Sequence, residues 1–415
     1  MSYRDVQVIQ TKERIPTISV NKVLLHSKYY PSKEAEKFIQ SNEDKLLDKS
    51  IVVIYGLAFG YHVQELLKRA REDCRIFIFD ADIDIIEKGK ELGVYNSIKN
   101  DARVRIFTGY SLDFFQMFHE KLRLVDDIII YKPSVKVLPE SFNKLKTILN
   151  SYDMSKIGIE KFGSLMIENH KENLKVISSS LKEFYKDCDI KNKPVIIVAS
   201  GPSLDENIEC LKKAKGKVKI FTVGSALRTL MNNGIKPGMV AIIDSQEIVK
   251  SQLRDFENED IPLCFLNTAS RWAVSSYNGP KYMFFNEKNE INDIIINTGK
   301  TVAVAAIDIA IKGGASKIIL VGQDLAFVDN KTHTQSFVET YNMSNAAPKD
   351  DTVYKKIEGV GGTTLSTTTG FLYFKYCIEK EIEDNTEVEF INCGRGARIK
   401  GTKEKDLASI LNDLS

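Results

Sequence analysis

Cysteine and histidine are scarce in this chain of 415 residues, with six of the first and five of the second. The cysteines (Cys74, Cys188, Cys210, Cys264, Cys377 and Cys393) are scattered without a C-x-x-C pair, which argues against a zinc ribbon. No secretory signal opens the chain to suggest disulfides, so reduced thiols in a cytoplasm are expected. Long apolar runs are missing too. The most apolar stretch, Val302 to Ile311, is broken by Asp308 and falls far short of the roughly 20 residues that cross a bilayer. Nor is one sign of charge in excess: 58 Lys and Arg stand against 56 Asp and Glu, a formal +2, so no strong field points to nucleic acid or an anionic membrane. Internal repeats and low-complexity tracts are absent. What remains, 43% hydrophobic and 27% charged, is the balance of a soluble globular protein with material for two cores.

Short Val/Ile-rich runs alternate with longer amphipathic segments from about residue 50 to 150 and again from about 194 to 395, the rhythm of strand-helix units around a parallel sheet. The expected strands are Ile51 to Tyr55, Arg75 to Asp80, Val104 to Phe107 and Asp127 to Tyr131 in a first α/β domain. In a second they are Val195 to Ala199, Val218 to Val223, Met239 to Asp244, Leu263 to Leu266, Lys317 to Gly322 and Val388 to Asn392. Between them Asp153 to Lys186 has no proline and carries apolar residues at helical spacing, which predicts one or two connecting helices. The polar, Gly/Asn/Asp/Thr-rich segment Ala326 to Gly362 reads as a long loop, and such loops in compact domains usually have a function.

Two glycine turns follow strands. Gly56-Leu57-Ala58-Phe59-Gly60-Tyr61-His62, with Asp80 twenty positions after Gly60, has the spacing of a nucleotide-binding βαβ unit and also resembles an S-adenosylmethionine methyltransferase turn. Ala58 stands where the middle glycine would be, and tight turns need glycine for steric reasons alone. The second turn, Ser200-Gly201-Pro202-Ser203-Leu204, joins a buried strand to a helix, which predicts free amides and a positive helix end suited to phosphate. Ser203 and Glu206 also match a capping box. Two more strands deliver Gly224-Ser225 and Asp244-Ser245 to the same crevice.

Asn297-Thr298-Gly299-Lys300-Thr301 imitates the end of a Walker motif, but Ile294 occupies the place of its first glycine, so it reads as the start of a helix presenting Thr298 and Thr301. Lys317 to Gly322 delivers Gln323 and Asp324, and His333 follows in the long loop. His333 and Asp324 are taken as the catalytic pair, with solvent exposure and a loop brace as their respective structural alternatives. No Asp-x-Asp, His/Cys cluster or H-E-x-x-H stands in the second crevice, so no metal and no cofactor is expected there.

The Ser200 to Leu204 turn, the strand end at Asp244, Val321 to Phe327 with His333, and Asn392-Cys393-Gly394-Arg395-Gly396-Ala397-Arg398 together resemble the motility accessory factor family of flagellin glycosyltransferases. Tyr55 to His62 fits as well, so the resemblance spans about residues 50 to 403. It implies an N-terminal Rossmann-like domain (1–150), a helical connector (151–189) and a sialyltransferase-like domain with a mostly parallel sheet (190–415). It further implies inverting transfer of pseudaminic or legionaminic acid from a CMP-activated donor to Ser or Thr of flagellin, without nucleic acid or a membrane span; a homo-oligomer is compatible with it. The donor residues carried over are Ser200, Gly201, Pro202, Ser203 and Leu204, joined by Ser225, Asp244, Ser245, Thr298, Thr301, Gln323 and Thr364. Two features depart from the sialyltransferase pattern. Asparagines used there near the nucleotide fall near Ser200, Ser225 and Ser245, and the stretch Gly361 to Thr367 lacks the histidine of those enzymes. Many family members also continue into a C-terminal helical domain, which leaves acceptor recognition expected in the N-terminal domain. The rival readings are a 6-hydroxymethylpterin pyrophosphokinase, which shares the Gly-Pro-Ser-Leu domain and would need ATP and magnesium, and a non-catalytic flagellin-binding protein.

Overall fold

Strands covered by helices on both faces have no polar side to show, and the near-continuous Val/Ile/Phe runs of this chain form parallel sheets of that kind. The structure, a computed structural model, describes residues 4–109, 111–214, 216–287, 294–347 and 354–413. It divides into two compact units, Met1–Ile157 and Gly158–Ser415. Among the described residues no helix is long and apolar enough to cross a membrane.

The first unit opens with an antiparallel sheet of β1 (Val6–Gln10), β2 (Pro16–Val20) and β3 (Val23–Leu24), which the sequence reading did not anticipate. Helix α1 (Pro31–Gln40) follows. The parallel sheet is built from β4 (Ile51–Tyr55), which leads through a glycine turn into α2 (Tyr61–Arg69), then β5 (Arg75–Asp80), β6 (Val104–Thr108) and β7 (Ile129–Ile130), in the order β6-β5-β4-β7. β7 is shorter than expected because Tyr131 already turns into α3 (Lys132–Val137). A single helix, α4 (Asn143–Asn173), then carries the unit boundary.

In the second unit β8 (Ser179–Ser180) is an edge strand drawn from the segment expected to be purely helical. Next come β9 (Pro194–Val198), α5 (Ser203–Ala214), β10 (Lys219–Val223), α6 (Gly224–Asn232), β11 (Met239–Ile242), β12 (Leu263–Leu266) and β13 (Lys281–Phe284). β13 was not anticipated, since four residues without alternation do not distinguish a strand from a helix turn. The chain continues through α7 (Val302–Lys312), which is apolar nearly all round and accordingly buried, into β14 (Lys317–Val321).

The expected long loop is partly ordered structure. It holds helix α8 (Gln335–Tyr341) and the first arm of a hairpin, β15 (Lys355–Glu358) with β16 (Thr364–Thr367); residues 348–353 lie outside the described residues. Helix α9 (Thr369–Asp384), β17 (Glu389–Asn392) and β18 (Lys403–Glu404) complete the unit. The large sheet runs β18-β17-β14-β9-β10-β11-β12-β13-β8 with every pair parallel. From β9 the chain moves outward to β13, then returns to place β14 on the other side of β9. The crevice outside the carboxyl ends of β9 and β14 is therefore a topological switch point, where open α/β sheets place ligands.

Candidate active site

At that switch point Ser200, just past the end of β9, meets Ser225 in the first turn of α6, with their hydroxyl oxygens 2.9 Å apart. The Ser200 carbonyl accepts the Thr334 N–H at 2.9 Å, and the Thr334 hydroxyl meets that of Thr229 at 3.2 Å. This anchoring brings the adjacent His333 to the crevice, where its ring stacks on Phe337 at 4.2 Å and meets Phe371 edge-on at 6.3 Å. Burial holds the His333 imidazole neutral, lowering its pKa to about 4. Its Nδ1 faces the Thr332 hydroxyl at 3.0 Å, and Asn345 Nδ2 donates to the carbonyls of both His333 and Thr334 at 3.2 Å. Asn345 and Phe337, which fix the histidine, went unread; a polar loop carries no periodicity that would single them out.

Asp324, expected as a catalytic residue with a brace as its alternative, bonds in the structure as a brace does. Its carboxylate is 2% exposed, and its Oδ2 accepts the Ser203 N–H at 2.8 Å while the amides of Arg395 and Gly396 face it. The Asp324 carbonyl accepts the Ala397 N–H at 2.6 Å. One residue thus joins the Ser200 to Leu204 turn to the Gly394 to Ala397 turn. Burial raises the carboxyl's pKa, against the lowering by Ser203 and these amides.

The same geometry overturns the expectation of free amides. Gly201 N–H donates to Gly322 O at 2.8 Å, Pro202 has none, Ser203 N–H is held by Asp324, and Leu204 N–H returns to Gly201 O at 3.0 Å. The positive end of α5 is answered from within by a carboxylate. Gly201 is required for close approach, since a Cβ there would run into Gly322 O and the Asp324 carboxylate; Gly322 itself has φ +68°. The capping box does not form either, because Glu206 pairs with Arg395.

Leu204 is fully buried beneath the turn. Asp244 is exposed at the end of β11 and its carboxylate turns onto Gln246 N–H at 2.9 Å, while Ser245 is buried. The Ser245 carbonyl is clamped at 2.8 Å by Asn169, which with Asn173 forms an i, i+4 pair of fully buried amides on α4. Asn169 also reaches Thr268 O at 3.3 Å, and Asn173 holds Asn267 O and Ala269 O at 3.0 and 2.8 Å. Polar residues at helical spacing were the available signal for this clamp. Gln323, buried beyond β14, keeps its side-chain carbonyl without a hydrogen-bond partner among the described residues.

Thr298 and Thr301 are both buried in a turn closed by a 2.8 Å bond from Thr301 N–H to Thr298 O. Helix α7 runs opposite to the strands, so this turn opens it on their carboxyl side. Thr364 belongs to the exposed end of the β15-β16 hairpin, opposite Glu358, and it is Thr367 at the other end that is buried and donates to Leu325 O at 2.7 Å.

In the first unit the glycine turn is filled by the protein itself. Asp80 is fully buried, accepts Leu57 and Ala58 N–H at 2.8 and 3.4 Å, and is pushed up to about 6 by burial. His26 Nε2 accepts Phe59 N–H at 3.1 Å; His62 bonds Gly56 O at 2.9 Å and stacks on Tyr131 at 4.0 Å. The acidic side chain that a nucleotide fold would offer to a ribose is here spent on the turn.

A family model described as 6-hydroxymethylpterin diphosphokinase MptE-like matches residues 164–330. Among solved structures, the chain is similar in fold to the MAf glycosyltransferase from Magnetospirillum magneticum AMB-1, with TM-score 0.55 and 16% identity over 98% of this chain and 71% of that one. The resemblance read from the motifs thus extends to the fold of nearly the whole chain. No curated protein sequence matches.

Proposed function

We propose that the chain is a glycosyltransferase that moves a nonulosonic acid, pseudaminic or legionaminic, from its CMP-activated form to Ser or Thr of flagellin with inversion. The observation that carries this reading is the hydroxyl pair Ser200 and Ser225 beside a buried, neutral His333 at the switch point of a sheet whose fold is that of a glycosyltransferase. The anomeric carbon of such a donor is a hindered, carboxylate-bearing ketal carbon, so its bond to the CMP phosphate breaks ahead of attack and charge develops on the departing oxygen. With the turn amides already paired, whichever of the Ser200 and Ser225 hydroxyls accepts the other's proton keeps its own O–H to face that charge. His333, with Nδ1 toward Thr332, has Nε2 left to take the proton of the acceptor hydroxyl. Gln323 offers its unpartnered carbonyl to a hydroxyl or amine of the donor.

The family match over 164–330 favours one second reading, a pterin pyrophosphokinase, which needs ATP and magnesium. A thermal-shift panel of CMP, CDP, ATP and S-adenosylmethionine, each with and without magnesium, separates the two. Stabilisation by CMP without magnesium, followed by a mass increase of flagellin incubated with enzyme and CMP-sugar, is expected. A response to ATP with magnesium and none to CMP selects the pyrophosphokinase; no response to any nucleotide leaves a flagellin-binding protein.

A further inference from the structure

The Thr332 hydroxyl lies between two partners, His333 Nδ1 at 3.0 Å and the Asn345 carbonyl at 3.0 Å. A hydroxyl has one proton to give, so the two contacts are not equivalent. Given to the carbonyl, that proton leaves Thr332 Oγ to meet Nδ1 with a lone pair, and the ring must carry its own proton on Nδ1. Given to Nδ1, it sends the ring's proton to Nε2. The choice decides whether the nitrogen turned away from Thr332 accepts a proton or donates one.

The surroundings favour the first arrangement. Thr332 N–H also goes to Asn345 O, at 2.8 Å, so one carbonyl oxygen with two lone pairs meets both the backbone and the hydroxyl of Thr332. The Asn345 side-chain amide in turn holds the carbonyls of His333 and Thr334 at 3.2 Å, which fixes the three residues against residue 345. Phe337, stacked on the imidazole at 4.2 Å, keeps the ring plane in place. In the first arrangement both protons find acceptors, in a chain from ring to hydroxyl to carbonyl whose bonds polarise one another. In the second, Nε2–H has no acceptor among the described residues, and a buried N–H without a partner is rarer and costlier than an unfilled lone pair.

We propose that Thr332 is a positioning residue for His333, fixing its imidazole with the proton on Nδ1 and the lone pair on Nε2 through the bond from Thr332 to the Asn345 carbonyl. This role rests on the reading of His333 as the base of the transfer. In that step the proton of the acceptor hydroxyl moves to Nε2, its oxygen bonds to the anomeric carbon, and the bond to CMP breaks with its electron pair on the phosphate. The imidazolium that results keeps Thr332 as the acceptor of its Nδ1–H. A hydroxyl and a carbonyl thus do what a carboxylate does for the histidine of a hydrolase triad, without a further buried charge.

The test is NMR of the imidazole nitrogens in the full chain labelled at histidine, near neutral pH, which separates a ring protonated on Nδ1 from one protonated on Nε2. His333 is identified as the signal missing from His333→Gln. His62, whose Nε2 bonds Gly56 O at 2.9 Å, supplies the opposite pattern in the same spectrum. His333 should show the Nδ1–H pattern. Thr332→Val, which keeps the shape and loses the hydroxyl, should move it toward Nε2–H and lower kcat for flagellin transfer about tenfold or more, with the donor KM little changed. Thr332→Ser should restore the pattern and most of the turnover. If the valine variant fails to fold, as judged by its melting curve, Thr332→Ala takes its place. An Nε2–H pattern in the wild type, an unmoved pattern in the variant, or a moved pattern with kcat unaltered would each overturn the proposal. Should the wild-type chain transfer nothing to flagellin, the donor reading fails on that count, while the spectrum still decides the tautomer.

Discussion

Asp324 and His333 lie nine positions apart, yet the first holds a backbone amide of the Ser200 to Leu204 turn while the second stacks on the Phe337 ring. Removing the Asp324 side chain leaves Ser203 N–H without its buried acceptor and takes the carboxylate away from the amides of Arg395 and Gly396 that face it. Asp324→Ala should cost about 3 kcal/mol in urea unfolding. A change below about 0.5 kcal/mol would show that water replaces the carboxylate and that the brace is dispensable. Gly201→Val, which would be a natural probe of donor contact, is for the same reason a folding variant, its Cβ colliding with the brace. His333→Ala, in contrast, removes a ring that stacks without holding backbone, and should lower turnover about a hundredfold while CMP affinity changes little. Turnover at the unaltered rate would return His333 to an ordinary loop residue.

Among the elements, α4 does more than connect. Asn169 and Asn173 each give two hydrogen bonds to loop carbonyls after β11 and β12, the loops that carry Asp244, Ser245 and Asn267. Replacing both by Ala leaves four carbonyls without these partners, for a loss of about 1 to 3 kcal/mol at each site. Amide exchange over residues 244–249 and 267–270 should accelerate in the double variant relative to the strands behind them. Unaltered exchange there would mean that the loops hold their shape without the clamp. The segment ahead of α7 is fastened similarly: Asn297 N–H donates to Asp308 Oδ2 and its amide to Glu381 Oε2, each at 2.6 Å, and Lys312 reaches the same Asp308 oxygen at 2.6 Å.

For the whole molecule, these buried groups set opposing limits on pH. Burial, then the neighbouring Asp308 charge, pushes Glu381 up to about 7, so the folded chain keeps a proton that the unfolded chain gives up near 4.5. The stability this group provides is fully present below that lower value and is lost as pH rises through 7. Burial lowers the pKa of His26 well below its ordinary value, and that of His62 and His333 to about 4. Their contribution is present above 6.5 and lost as pH falls toward 4. Melting temperatures should therefore decline on the acid side through the histidines and also as pH rises from 5 to 8 through Glu381, and Glu381→Gln should reduce only the second decline. An unchanged slope in that variant would show that Glu381 is already ionised in the folded protein.

Composition and periodicity by themselves determined the α/β class, the parallel sheets and nearly every central strand, because a buried strand must be apolar over four or five consecutive residues and such runs are visible in one dimension. They also placed Ser200, Ser225, Gln323 and Asp324 at strand ends, since a turn must follow a strand. They could not settle what those residues bond to. Ser203 finds its acceptor 121 positions away, Leu57 finds Asp80 23 positions on, and the Ser245 carbonyl is met by a helix 76 positions earlier. Tertiary structure alone decided that both glycine turns spend their amides internally, that His333 is neutral, and that Asn169, Asn173 and Asn345 hold the site. A turn's amides face whichever partner the packing delivers, and only the folded chain brings those partners within three ångströms.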